Sequence, residues 1–160
     1  MIRAYVALGA NLGAAAATVS AAAAALAEIP GTRLLAVSSL YQTAPLGLKH
    51  QPDFINAVAA VDTTLPPGQF LEALFALEAR FGRCRSVPNA PRTLDLDLLL
   101  YGEILQDEAY LTLPHPRLHE RAFVLAPLAE IATDCQIPGR GGVLDLLAAC
   151  SGQRIVRLPS

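Results

Sequence analysis

The feature that most restricts the fold is the alternation of leucine and aspartate from Leu94 to Leu98. Successive side chains of a strand point to opposite faces, so Asp95 and Asp97 would share one face and the leucines the other. On a helix the two aspartates would diverge by about 200°. Aspartate is a poor strand former, so two of them between core leucines need a reason. The pattern therefore predicts a strand with one buried face and one acidic face.

Length and composition set the broad class. The 160 residues fit one domain, expected over 1–160, and 53% of them are hydrophobic, which favours a packed core over disorder. The net charge of −2 provides no general attraction to nucleic acid or membrane. The uncharged stretch 4–27 has the length of a membrane span, but Gly9, Asn11 and Gly13 interrupt it, so we expect a strand and a helix there. Three cysteines without metal-ligand spacing are typical of a reducing, cytoplasmic compartment.

Hydrophobic periodicity predicts the order β-α-β-β-α-β. Strands are expected at 4–8, 33–42, 54–64 and 93–100, and helices at 13–28 and from Pro66 to about Gly82. A hairpin at 104–113, one or two short helices at 119–133, a helix at 143–150 and a strand at 155–158 would follow. This order suits an α+β fold, a ferredoxin-like α/β sandwich with helices on one face of a mostly antiparallel sheet.

Four arginines stand beside the predicted acidic strand, and no acidic residue occurs from Ala79 to Leu94: Arg80, Arg83, Arg85 and Arg92. A guanidinium binds two phosphate oxygens at once and stays charged. Paired carboxylates on a rigid strand can hold one or two Mg²⁺ ions that bridge to nucleotide phosphates. A solvated basic turn and an acidic edge strand explain each feature separately, but together they favour phosphoryl-type transfer. No Walker A pattern is present.

Two other segments carry residues that can bind a ligand. A strand would place Phe54 and Asn56 on one face, where a ring and an amide can stack on a heteroaromatic ligand and bond its edge. A core phenylalanine and a turn asparagine explain the same pattern. His115 and His119 have the spacing of metal ligands, but no neighbouring glutamate or cysteine pattern completes a zinc site.

In this order, the segments resemble the 6-hydroxymethyl-7,8-dihydropterin pyrophosphokinases of folate biosynthesis. The most specific stretches are Tyr-Gln-Thr-Ala-Pro-Leu-Gly at 41–47, Pro-Arg-Thr-Leu-Asp-Leu-Asp at 91–97 and Leu-Pro-His-Pro-Arg at 113–117. The resemblance covers almost the whole chain. It implies a ferredoxin-like fold and transfer of diphosphate from ATP to the hydroxymethyl group of 6-hydroxymethyl-7,8-dihydropterin, releasing AMP. We expect a cytoplasmic monomer that binds these two small substrates and neither nucleic acid nor membrane.

The resemblance also implies roles for particular residues. Asp95 and Asp97 would hold two Mg²⁺ ions and act in catalysis with Arg83 and Arg92. The residues implied on the ATP side are Glu78, which would orient nearby arginines, and Arg83, Arg85, Arg92, Leu98, Thr112, His115 and Arg121. Those implied on the pterin side are Thr43, Ala44, Pro45, Leu46, Phe54, Asn56, Asp95 and Phe123. The two phenylalanines would enclose the ring.

Two positions depart from the family pattern. Asn89-Ala90 stands where many relatives have Trp-Gly, which leaves open how a loop would seal the site, and Phe75 stands where some relatives have a polar residue near the nucleotide. Two other functions fit a ferredoxin-like sheet. An RNA-binding module needs an RNP1-like pattern and a basic face, and both are absent from the sequence. A regulatory binding domain would not need the acid pair, the arginines and both aromatic residues together.

Overall fold

The computed structural model describes residues 1–44, 52–82 and 94–159. Its strands are β1 (Ile2–Ala10), β2 (Thr32–Val37), β3 (Tyr41–Thr43), β4 (Phe54–Thr63), β5 (Asp95–Tyr101), β6 (Gln106–Glu108), β7 (Leu111–Leu113), β8 (Gln136–Ile137), β9 (Gly141–Gly142) and β10 (Val156–Arg157). Its helices are α1 (Ala15–Ala25), α2 (Pro67–Arg80), α3 (Ala122–Ile131) and α4 (Val143–Ala149), with short 3₁₀ turns at Leu26–Glu28 and Leu118–Glu120. The expected succession of strands and helices is thereby confirmed, apart from the strand expected at 33–42 and the β8–β9 pair.

The main sheet is antiparallel throughout, in the strand order β10-β3-β4-β1-β5, with β2 also paired to β4. The single strand expected at 33–42 is wrong, because β2 and β3 are separate strands that pair with different parts of β4. The break lies at Ser38, whose backbone N–H donates to the carbonyl of Val58. The Ser38 hydroxyl accepts the N–H of Val58 at 2.9 Å. A serine side chain thus replaces one bond of the strand ladder, which hydrophobic patterning does not reveal.

Helices cover both faces of this sheet. Helices α1 and α2 pack on the face formed by Ala4, Val6 and Leu8 of β1, as the β-α-β-β-α-β order predicts. Helices α3 and α4 pack on the opposite face, so the expectation of helices on one face only is wrong for the last third of the chain. The reason lies partly in β5. A register irregularity opposite Tyr5 and Val6 gives this strand buried leucines on both faces, and the second face needs its own cover.

The predicted helices lie close to their expected bounds. Helix α1 is shorter than 13–28 because it begins after Gly13, in a left-handed conformation at φ 58°, and its last turn tightens into the 3₁₀ turn. Helix α2 begins with Pro67 at its first position, where a missing N–H costs nothing. The small β8–β9 pair was not predicted. Within the described residues, no helix is long and apolar enough to cross a membrane.

The layer formed by α3 predicts a specific stability change. Leu128 is fully buried in that layer, whereas Leu105 is 70% exposed. We expect Leu128→Ala to lower the free energy of unfolding by about 2–5 kcal/mol through lost burial and a residual cavity. The matched change Leu105→Ala should stay within about 0.5 kcal/mol of the parent protein. Urea denaturation measures both, and equal effects would contradict the assignment of α3 to a second core.

Candidate active site

A cleft opens on the α3 side of the sheet, where four strand ends and the start of α3 meet. Its walls are Ala7, Leu8, Gly9, Thr43, Ala44, Phe54, Asn56, Ala57, Asp95, Asp97, Arg121, Phe123 and Val124. Antiparallel pairing brings these distant segments together. Gly9 lies between Asn56 on β4 and Asp95 on β5, and Ala7 lies opposite Asp97. The two aspartates therefore face small residues of the central strand, which leave space in front of the carboxylates.

An amide and two aromatic rings occupy the other part of the cleft. The Asn56 side chain is buried and its Nδ2 donates to Thr43 Oγ1 at 2.9 Å. A Cβ atom at Gly9 would stand 3.1 Å from Asn56 Oδ1, so this glycine permits the close approach of the amide. Phe54 and Phe123 line the same space from β4 and α3. Six of the residues predicted for the pterin side thus line one cleft: Thr43, Ala44, Phe54, Asn56, Asp95 and Phe123.

A buried carboxylate on helix α2 is hydrogen-bonded to the backbone of the acidic strand β5. Glu78 of α2 is 2% exposed, and its Oε2 accepts the backbone N–H of Leu96 at 2.8 Å. Leu96 stands between the two aspartates, on the outermost strand of the described sheet. This bond therefore satisfies a donor that a further strand would otherwise pair. It ties the backbone bearing Asp95 and Asp97 to α2 and limits how far the carboxylates can move.

Arg121 brings a cation into the cleft at the start of α3. Its Cζ lies 5.5 Å from the centre of the Phe123 ring, which is a cation–π distance. Burial, assisted by Arg117, lowers the pKa of Arg121 below its usual value, while Asp97 and Asp95 oppose the shift. Arginine nevertheless stays protonated at neutral pH. Its Nε is buried and has no hydrogen-bond acceptor among the described residues.

His115 lies beside the cleft and is neutral. Burial and the charge of Arg121 lower its pKa to about 4, although Asp95 acts in the opposite direction. The Arg117 backbone N–H donates to His115 Nδ1 at 3.2 Å, so the neutral ring carries its proton on Nε2. His115 is therefore a donor near the carboxylates without being a cation.

The predicted ATP-side residues are only partly gathered in this cleft. Thr112 and His115 line a separate shallow groove with Pro114, Pro138 and Arg140 among others. Leu98 is 3% exposed and belongs to the core under α1 and α2. Pro45, Leu46, Arg83, Arg85, Arg92 and Asn89-Ala90 lie outside the described residues. Sequence reasoning missed the small wall residues Ala7, Gly9 and Ala57, because they contribute space and carry no reactive group.

The far end of α3 is clamped to the strand that carries Thr43. The Tyr41 hydroxyl donates to Glu130 Oε1 at 2.7 Å, and the Ser39 N–H and hydroxyl donate to Oε2 at 2.9 and 3.0 Å. Arg157 of β10 approaches the same carboxylate at 3.5 Å. Burial and the Glu130 bond raise the pKa of Tyr41 to about 12, which keeps the phenol protonated. One helix thus carries Phe123 at its start and fixes β3 at its end.

Comparison with known proteins gives consistent matches. The family model described as 7,8-dihydro-6-hydroxymethylpterin-pyrophosphokinase (HPPK) matches residues 5–133. A Pseudomonas aeruginosa protein named 2-amino-4-hydroxy-6-hydroxymethyldihydropteridine pyrophosphokinase is 50% identical over 157 residues, which cover 98% of this chain and 97% of that protein. A Haemophilus influenzae protein of the same name is 42% identical over 159 residues, 99% of both chains.

Solved structures show the same fold. A crystal structure described as HPPK-DHPS in complex with substrates superposes with a TM-score of 0.71 and 13% identity, over 92% of this chain and 43% of that one. Plasmodium falciparum HPPK-DHPS with pteroate gives a TM-score of 0.72 and 14% identity, over 92% of this chain and 42% of that one. This chain therefore spans less than half of these solved chains. At such low identity the likeness concerns the fold.

The environment of His115 predicts an abnormal titration. We expect its imidazole C2 proton to titrate by NMR with a midpoint of about 4 in the folded protein, against about 6.5 in denaturing urea. The unfolded chain binds the proton more readily. Stability from this residue is therefore complete above pH 6.5 and declines as the pH falls from 6.5 toward 4. The His115→Gln variant identifies the signal, and a folded-state midpoint near 6.5 would contradict the buried, neutral imidazole.

Proposed function

This chain belongs to the 7,8-dihydro-6-hydroxymethylpterin-pyrophosphokinase family, and from that premise we propose how its residues perform the transfer. The chain is a pyrophosphokinase, a transferase of folate biosynthesis. In the proposed reaction, ATP donates its terminal diphosphate to the hydroxymethyl oxygen of 6-hydroxymethyl-7,8-dihydropterin. The products are the pterin diphosphate, AMP and a proton. The observation that best supports this reaction is the meeting of two carboxylates, an amide and two aromatic rings in one cleft.

The aromatic part of the cleft is the proposed pterin site. Phe54 and Phe123 line the same cleft, and a flat heteroaromatic ring would stack between them, where it would replace water on both ring faces. Asn56 is already oriented by Thr43, and Gly9 leaves room for its amide, so the amide can bond the ring edge without losing side-chain freedom on binding. Ala44, with Pro45 and Leu46 beyond it, would contribute backbone groups to the same edge. In this arrangement the hydroxymethyl group would point toward Asp95.

The acidic part of the cleft is the proposed phosphate site. The carboxylate oxygens of Asp95 and Asp97 suit Mg²⁺, which prefers hard oxygen ligands and keeps several waters or phosphate oxygens of its own. Two bound Mg²⁺ ions would neutralise triphosphate charge and help to hold the reacting groups in line. The structure describes no cluster of three or more acidic, histidine or cysteine ligands in residues 1–44, 52–82 and 94–159. The remaining ligands would therefore come from water and phosphate.

Donors around the aspartates would stabilise charge on the transferred diphosphate. Arg121 has a buried Nε without an acceptor in the described part of the chain, and His115 presents a neutral Nε2–H. Arg83, Arg85 and Arg92 would add guanidinium groups, while Thr112 would lie toward the nucleoside. The Leu98 side chain is buried in the core under α1 and α2, so only its backbone could take part on the ATP side. Glu78 would act indirectly, by holding the acidic strand and by orienting nearby arginines.

The attack is proposed at the β-phosphorus. The pterin hydroxyl oxygen bonds to this phosphorus, and the bond to the α–β bridging oxygen breaks, so that AMP leaves with that oxygen. We further propose that the protein works as a cytoplasmic monomer with one domain over residues 1–160. One copy of the chain supplies every wall of the described cleft, so no second subunit is needed to form it.

The metal assignment predicts the effect of a nearly isosteric change. Asp97→Asn should lower kcat by at least about 100-fold at saturating Mg²⁺, because the neutral amide is a poor metal ligand. The control Asp134→Asn alters an exposed aspartate after α3 and should leave turnover unchanged. Thermal denaturation should show both variants folded. Turnover near normal in Asp97→Asn would exclude an essential metal contact at this residue.

The bond that breaks is tested by product analysis. Incubation with Mg·ATP and 6-hydroxymethyl-7,8-dihydropterin should yield AMP and a pterin diphosphate in equal amounts, as measured by phosphorus NMR. A reaction without pterin is the control and should consume no ATP. Attack at the γ-phosphorus would instead produce ADP and a pterin monophosphate in equal amounts. That result would leave a kinase and eliminate the proposed pyrophosphoryl transfer.

A further inference from the structure

The side chain of Gln153 forms hydrogen bonds with the backbone on both sides of Arg121. Gln153 Oε1 accepts the N–H of Ala122 at 2.9 Å, and Gln153 Nε2 donates to the carbonyl of Glu120 at 2.6 Å. Gln153 follows α4 and lies beyond residues 5–133, the part that matches the family model. The side chain is exposed and does not line the cleft. Its contacts with the candidate site therefore pass through the chain segment around Arg121.

The Gln153 side chain provides the hydrogen-bond acceptor that the N-cap residue of α3 lacks. Arg121 is the N-cap residue of this helix and makes no capping bond with its own side chain. Serine, threonine, aspartate and asparagine usually occupy this position, because their oxygen atoms accept an N–H of the first turn. A guanidinium has no acceptor. Arg121, whose guanidinium lies in the cleft, therefore cannot cap its own helix. Gln153 supplies the acceptor from elsewhere in the chain.

Gln153 is itself held in place by buried structure. Its backbone N–H donates to the carbonyl of Cys150 at 3.0 Å, just after α4. Cys150 is buried in the core shared with α3, and its Sγ lies 3.8 Å from the carbonyl of His119. The glutamine is thus attached to the layer that carries the turn before Arg121. Movement of the backbone around Arg121 relative to this layer would therefore strain or break the two hydrogen bonds of the Gln153 side chain.

We propose that Gln153 is a positioning residue for Arg121. It holds residues 120 and 122 so that the extended backbone of Arg121, at φ −120° and ψ 106°, directs the guanidinium over Phe123 and into the cleft. This role rests on the proposed function in one respect, that Arg121 acts on the triphosphate. The simpler alternative is a helix cap that contributes only to stability.

A double-mutant cycle separates the two roles. Gln153→Met keeps the approximate side-chain length and removes both hydrogen bonds, and it should lower kcat/KM for Mg·ATP by about 3–10-fold. The neighbouring exposed change Arg154→Ala is the control and should lower it less than 2-fold. In an Arg121→Ala background, Gln153→Met should cost less than about 2-fold more, because its effect passes through the missing arginine. Full additivity of the two losses would overturn the proposal.

A second measurement needs no substrate. The buried Arg121 Nε–H should give a slowly exchanging NMR signal, identified by its loss in Arg121→Lys. Gln153→Met should increase its exchange rate at least about 5-fold, while Arg154→Ala leaves it unchanged. If this exchange changes but Arg121→Ala has normal kinetics, the positioning role is supported and the ATP role proposed for Arg121 fails. If the exchange rate stays the same in Gln153→Met, the positioning role itself is overturned.

Discussion

The pairing of β5 with β1 is the constraint on which the rest of the site depends. This register places Asp95 opposite Gly9 and Asp97 opposite Ala7, and it continues through Gly9 to Asn56 on β4. A shift of one residue would turn the aspartates into the core and the leucines into the cleft. The buried leucines on the other face prevent that shift, since exposing them would cost a large part of the stability of the sheet. Hydrophobic burial thus determines where the carboxylates point.

Electrostatics around the aspartates follow from partial burial. Removal from water is the main cause that lowers the pKa of both Arg121 and His115. Arg117 lowers both pKa values further, Arg121 also lowers that of His115, and Asp95 acts in the opposite direction on both. The histidine becomes neutral and the arginine remains charged, so that, among the residues that the structure describes, Arg121 is a cation and His115 a neutral donor near the two carboxylates. Both groups can donate hydrogen bonds to the oxygen atoms of an anion, and only the arginine adds a positive charge.

Helix α3 connects the two halves of the cleft. Its first turn carries Phe123 and follows Arg121, and its last turn carries Glu130, which is bonded to Ser39 and Tyr41. The strand fixed by Glu130 carries Thr43, which orients Asn56. Residues after the family-matched region complete this arrangement, through Arg157 at Glu130 and Gln153 at the helix start. The C-terminal segment is therefore part of the support of the cleft and more than a surface extension.

The sequence by itself determined the local features, since these depend on neighbours along the chain. Period-two alternation predicted the acidic face of β5, aromatic and amide spacing predicted Phe54 and Asn56 on one face, and ordered motifs indicated the family. Only the tertiary structure decided the long-range contacts. Three of these contacts join residues 18 or more positions apart: the Glu78 bond to Leu96, the Ser38 bond to Val58 and the Gln153 bond to Ala122. The helices on the second face likewise pack against strands that are distant in the chain. A local pattern carries no record of such partners, because their bonds form only when the sheet brings the segments together.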